Sequence, residues 1–154
     1  MHNWEIDVAV LVIFFKRDKQ LSKTFEAIKQ ARPRKLLLWQ DGPRNDDDMQ
    51  GILECRKIVE NIDWDCEVYP STYYSHKWAF SIVDKCIVLE DDFVANKSFF
   101  LFCKELLDKY EFDDRINHIC GMNMLGEYKD YPYDYLFGFT GTNDSDGPGG
   151  LTGR

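Results

Sequence analysis

The strongest constraint on this chain is a set of short apolar runs that do not alternate. Val8 to Phe15 is eight consecutive apolar residues, rich in β-branched side chains. Leu36-Leu37-Leu38-Trp39 and Cys86-Ile87-Val88-Leu89 repeat the pattern at shorter length. A strand with one wet face alternates polar and apolar residues, whereas a run without alternation belongs to a strand buried on both faces. Such strands occur in parallel sheets, which need helices on both sides. The intervening segments supply them. Leu21, Phe25 and Ile28 share one helical face before Pro33. Ile52, Cys55, Val59 and Ile62 form a second stripe, after a helix start expected in the solvated cluster Asp46-Asp47-Asp48, where negative charge suits the helix dipole. Residues 97 to 110 form a third helix, with Phe99, Cys103, Leu106 and Tyr110 on one face and Phe100 and Leu107 beside them. Cys66 to Tyr69 and Ile116 to Cys120 read as further short strands, and no element is assigned from Pro70 to Ser81. The alternation of strand and helix predicts an α/β fold with a mainly parallel, Rossmann-like sheet flanked by helices.

Composition narrows the function. A net charge of -8 argues against nucleic acid, whose phosphates need a basic stripe. A single anionic ligand can still bind where a metal ion or helix N-terminus neutralises it. The five cysteines include no CxxC pair and mostly fall in apolar patterns, so they read as reduced core residues. No segment reads as a signal peptide or membrane span, and the expected location is cytoplasmic or peripheral to a membrane. From Gly138 the chain becomes rich in glycine and polar residues, so 138–154 is expected to be a disordered tail after a domain spanning 1–137.

In open α/β sheets ligands gather at the carboxyl ends of the strands. Two acidic turns fall at such ends: Asp41, before Gly42-Pro43, and Glu90-Asp91-Asp92. Three adjacent carboxylates raise one another's pKa unless a cation neutralises them. Mg²⁺ or Mn²⁺ suits this role, since hard cations take oxygen ligands and often need only one or two carboxylates plus substrate phosphates. A solvated loop that caps the next helix accounts for the same spacing. Asp41 reads equally as a turn-former before glycine, and Arg17 as a phosphate partner or a solvated strand-end residue.

The ordered set Ile87-Val88-Leu89-Glu90-Asp91-Asp92, Ser98-Phe99-Phe100, Phe102-Cys103, Glu105-Leu106-Leu107, Tyr110, Asp114-Arg115-Ile116 and Gly121-Met122-Asn123 resembles the core of GT-A glycosyltransferases. It is most similar to bacterial relatives of N-acetylglucosaminyltransferase I, whose Glu-Asp-Asp is a version of the DxD motif. Phe25-Glu26-Ala27-Ile28 and Gln40-Asp41-Gly42-Pro43-Arg44 extend the resemblance over roughly residues 7 to 125, with one gap. It implies that Asp92 ligates Mn²⁺ or Mg²⁺, that Glu90 and Asp91 contact donor sugar and ribose, and that Asp41 lies near the base or ribose. The implied donor is a nucleotide-sugar, with a UDP-sugar favoured, and the implied acceptor is a glycan or lipid-linked hydroxyl.

The chain departs from that family in two places. The family's longer segment before the acidic motif, with an Asn-x-Gly turn, is replaced by a short stretch containing Tyr73, Tyr74, His76, Lys77 and Trp78. Trp78, Phe80 and Ile82 read there as packing residues. The family's general base lies well downstream, and no residue of this chain takes that role: Glu127, Asp130 and Asp134 stand in no matching context. Tyr131 to Phe137 reads either as an acceptor-cleft lining or as an apolar end left bare. The chain therefore reads as an internally shortened, C-terminally truncated GT-A domain. A non-catalytic fragment and an unrelated α/β metal-binding domain are the alternatives. His118 is expected to be buried and hydrogen-bonded, not a metal ligand.

Overall fold

A computed structural model describes residues 3–72, 75–121 and 150–153. The positions Tyr73, Tyr74, Glu127, Asp130, Asp134, the aromatic stretch 131–137 and most of the glycine-rich tail lie outside them. Four parallel strands form the body of the sheet: β1 (Ala9–Phe14), β2 (Lys35–Gln40), β3 (Glu67–Ser71) and β4 (Lys85–Glu90). The connecting helices are α1 (Asp18–Ala31), α2 (Met49–Val59) and α3 (Ser75–Ala79), and α4 (Lys97–Lys109) follows β4. Two short strands, β5 (His118–Cys120) and β6 (Gly150–Gly153), complete the order β3-β2-β1-β4-β6-β5. β6 runs antiparallel to both neighbours. Composition alone gives that part of the tail no strand; its backbone pairs through Gly153 opposite Lys85 and Leu151 opposite Ile87.

The fold is α/β, a four-stranded parallel sheet of Rossmann-like order covered by helices. Each apolar run divides between two faces. On β1, Val10, Val12 and Phe14 enter one core with Leu21, Phe25 and Ile28 of α1, Cys55 and Val59 of α2, and Phe100, Cys103, Leu106 and Leu107 of α4. Ala9, Leu11 and Ile13 enter the opposite core with Leu37, Cys86, Val88, Trp39 and Tyr69. There Ala79, Trp78, Phe80 and Ile82 supply the cover, as the sequence predicts for the last three. The period-2 geometry of a strand thus explains the absence of alternation: both sides of each residue pair are dry.

Local signals set the ends of the helices. α1 begins with Asp18 in its first turn, favourable to the dipole, and stops where Arg32 turns left-handed at φ 44°. The Arg32 N–H donates to Ile28 O at 2.9 Å, and Pro33 follows. At α4, the Asn96 side chain accepts from Phe99 N at 2.9 Å and caps the first turn.

Several expectations need correction. α2 begins at Met49, after a single 3₁₀ turn over Asp46–Asp48, and ends before Ile62, which packs on the core from the following loop. Asp46 and Asp47 are exposed as expected, but Asp48 is buried. α4 turns Phe100 and Leu107 fully inward and leaves Phe99 and Tyr110 at the margin. His118 is exposed, because a short edge strand with exposed, buried, exposed residues turns only Ile119 inward. All five cysteines are free thiols, with Cys55, Cys86 and Cys103 buried.

Candidate functional site

The chain moves from β1 to β2 to β3 in one direction and then crosses to β4 on the other side of β1. The strand order therefore reverses between β1 and β4. A crevice opens at such a switch point, outside the carboxyl ends of the two strands, because their connections lead away to opposite sides. β1 runs out into Phe15-Lys16-Arg17 and β4 into Glu90-Asp91-Asp92. Ile13 pairs with Glu90, so the two ends meet in register.

Arg17 joins them. Its Nε donates to Asp91 Oδ2 at 3.2 Å, and its Nη2 donates to Asp91 Oδ1. Its Nη1 donates to Asp92 Oδ2 at 2.9 Å. The hydrogen bond to Asp91 raises the Arg17 pKa further above its already high range, although burial acts against it. The two aspartates differ sharply in exposure: the Asp91 side chain is 3% exposed and the Asp92 side chain 48%. Asp91 is further held from behind, where the buried Thr24 hydroxyl of α1 donates to its carbonyl oxygen at 2.9 Å. Glu90 is exposed at the end of β4.

Asp41 stands at the end of β2, exposed, and is not joined to this carboxylate cluster by any hydrogen bond described. Its Oδ1 accepts from Gly42 N at 3.0 Å, the geometry of a turn-forming aspartate. Its own N–H donates to Phe14 O at 3.3 Å, which keeps the end of β2 beside the end of β1.

Sequence reasoning missed a second polar cluster on the same edge. Asp48 accepts from Lys16 Nζ, from Arg44 N at 3.0 Å and from Arg44 Nε at 3.2 Å. The Lys16 and Arg44 hydrogen bonds hold its carboxyl well below the usual carboxylate range, against the opposing effect of burial. Gln40 ties this cluster to the sheet: its Nε2 donates to Phe15 O at 2.9 Å and Ile52 O at 3.2 Å, and its Oε1 accepts from Arg56 Nε at 2.9 Å. One sequence signal was available. Gly51 sits inside a helix, where glycine costs about 1 kcal/mol relative to alanine. A Cβ there would lie 2.7 Å from Lys16 O, so the glycine marks where α2 closes on the end of β1.

The edge therefore carries hard oxygen donors and fixed cations side by side. Among the described residues no group of three or more His, Cys, Asp or Glu side chains is arranged to hold a metal ion. A divalent cation here would take Asp92 as its protein ligand and complete its shell from substrate phosphate and water, as Mg²⁺ commonly does. Asp92 is half-exposed, and its Oδ2 already accepts from Arg17 Nη1. Two cavities among the described residues lie elsewhere. A shallow charged groove of about 820 Å³ runs between α1 and α2, and one of about 460 Å³ lies between the end of α4 and β5. Among the described residues, no helix is long and apolar enough to cross a membrane. No family model matches the chain, and no curated protein matches it.

Proposed function

We propose that this chain is the nucleotide-sugar-binding part of a metal-dependent GT-A glycosyltransferase. The observation that carries the reading is the meeting of Arg17 with Asp91 and Asp92 at the strand-order reversal between β1 and β4. The resemblance of the Glu90-Asp91-Asp92 segment to the DxD motif supports it independently of the geometry.

The charges explain why a metal belongs in this reading. Glu90, Asp91 and Asp92 outnumber Arg17, so a bare diphosphate would meet net negative charge. Mn²⁺ or Mg²⁺ at Asp92 would offset that charge and stabilise the diphosphate as the sugar leaves. Asp91, fixed by Arg17 and Thr24, keeps the acidic turn in one conformation, and Glu90 faces outward to the donor. Asp41, at the neighbouring strand end, is assigned to the base or ribose. The reaction such a donor-binding part serves is transfer of the sugar to a glycan or lipid-linked hydroxyl, with a UDP-sugar as the favoured donor, and no residue of this chain is assigned the general base.

A second reading has one observation in its favour. Arg17 pairs with both Asp91 and Asp92 without any ligand, as an ion-pair network in a non-catalytic α/β domain does. Calorimetric titration of UDP and UDP-N-acetylglucosamine, with and without Mn²⁺, separates the two. Metal-dependent binding that Asp92→Ala abolishes is the expected result. A folded protein that binds neither these nor other nucleotide-sugars would overturn the proposal.

A further inference from the structure

Among the described residues the sheet ends in β3 on one side and β5 on the other. An outer strand presents unpaired backbone donors and acceptors, on which another strand can build. β5 covers only His118–Cys120 and offers little to build on. β3 is longer, Glu67-Val68-Tyr69-Pro70-Ser71, and its hydrogen bonds fix which residues face out. The Glu67 N–H donates to Arg34 O at 2.9 Å, on the β2 side. Backbone groups of successive strand residues face alternate neighbours, so those of Tyr69 and Ser71 also face β2. The register, Leu36 beside Val68 and Leu38 beside Pro70, agrees with this. Val68 and Pro70 therefore turn their backbone groups away from the sheet.

Val68 offers a donor and an acceptor on that edge, and its apolar side chain is 40% exposed. Pro70 offers a carbonyl but no N–H. Charge does little to defend the edge, because Glu67, the one charged residue of β3, is paired with Arg34 at 3.3 Å and Lys35 at 3.8 Å. Two copies of this edge joined by a two-fold axis pair antiparallel. With the axis at Val68, Cys66 of each copy stands opposite Pro70 of the other. With the axis at Tyr69, Val68 stands there instead. In both registers a carbonyl meets the proline ring where it needs an N–H, once for each copy. That carbonyl is left without its donor inside the joint.

We infer that Pro70 closes the β3 edge to a second copy of this chain, and that restoring an N–H at this one position opens it. Proline within a strand is otherwise confined to positions whose N–H side faces solvent, which is where Pro70 stands. Without it the edge is a short β-prone stretch with a neutralised charge and an exposed valine, the kind on which chains add to one another. The inference is independent of any ligand at the carboxyl edge of the sheet.

The test is sedimentation velocity of the full chain over a range of concentrations, for wild type and for Pro70→Thr. Pro70 is exposed, so the substitution disturbs no core packing, and threonine suits a strand. Wild type is expected to sediment as a monomer where Pro70→Thr forms a reversible dimer. The dissociation constant of that dimer should be at least about tenfold lower, since each copy recovers a hydrogen bond. Val68→Pro added to Pro70→Thr returns a proline to the same outer edge and is expected to restore the monomer. Pro70→Ala also restores the N–H and serves if threonine disturbs folding, with circular dichroism reporting on each protein. A folded Pro70→Thr that associates no more tightly than wild type overturns the inference. Association that Val68→Pro leaves intact overturns it too, because the contact then lies elsewhere. If neither Pro70 variant folds, the proline serves the fold and not its edge, and the inference falls.

Discussion

Thr24→Val tests whether the acidic turn is held from behind. Thr24 is fully buried on α1, and its hydroxyl donates to the Asp91 carbonyl oxygen at 2.9 Å. Valine fills nearly the same volume but cannot donate. The carbonyl oxygen then loses this donor at a site shielded from water. The cost of leaving a buried polar group unpaired is about 1–3 kcal/mol. For a domain of this size each kcal/mol lowers Tm by about 2–4 °C, so the variant should melt about 2–12 °C below wild type. Urea unfolding followed by circular dichroism measures the loss directly, and the slope should not change, because the surface exposed on unfolding is the same. Thr24→Ser keeps the donor and gives up one buried methyl group, so it should keep metal-dependent UDP binding where the valine variant weakens it. A Thr24→Val protein as stable as wild type would refute the reasoning, for it would mean that the hydroxyl does not hold the turn.

Two further substitutions address the rest of the edge and the far end of the sheet. Gly51→Ala should destabilise the protein by about 1–3 kcal/mol despite the better helix propensity of alanine, because the added Cβ meets Lys16 O at 2.7 Å; a raised urea midpoint would show that α2 can retreat without loss. Burial alone would raise the Asp108 pKa, but hydrogen bonds from Lys104 and Lys85 overcome it and lower the carboxyl below its ordinary value. The stability it contributes is then present above about pH 4 and is lost as pH falls through the lower folded value. Asp108→Asn should accordingly lose less stability than wild type on acidification below about pH 4, and equal acid sensitivity in urea titrations at several pH values would overturn that assignment.

The sheet was legible because it depends on local periodicity. Val8 to Phe15, Leu36 to Trp39 and Cys86 to Leu89 carry the signature of doubly buried strands, and each became a parallel strand near the centre. The carboxyl-edge positions of Asp41 and of Glu90 to Asp92 followed from the same reading. What the sequence does not carry is pairing over distance. Asp48 looks like its neighbours Asp46 and Asp47, but Lys16 from the end of β1 and Arg44 from the preceding turn both donate to it and it is buried. Arg17 reads as a phosphate partner or a solvated strand-end residue, and its pairing with Asp91 shows only when β4 is laid beside β1. The segment between β3 and β4 failed for another reason: five residues of helix are too few to establish a period. His118 failed because strand membership says nothing about whether a strand lies at the rim.

The position of β1 at the middle of the sheet sets the order in which the protein can come into being. Its pairing with β2 joins near neighbours in the chain, but its pairing with β4 joins Ala9 to Cys86 across half of the chain's length. Contacts so remote in sequence form late, since the loop they close must first lose its freedom. During synthesis β1, β2 and β3 can assemble with α1 and α2 while the other edge of β1 waits unpaired. That edge is apolar, the kind of surface on which chains join wrongly. Arg17 meanwhile has no aspartate to meet. The arrival of β4 covers that edge of β1 and brings Asp91 and Asp92 to Arg17 in one event.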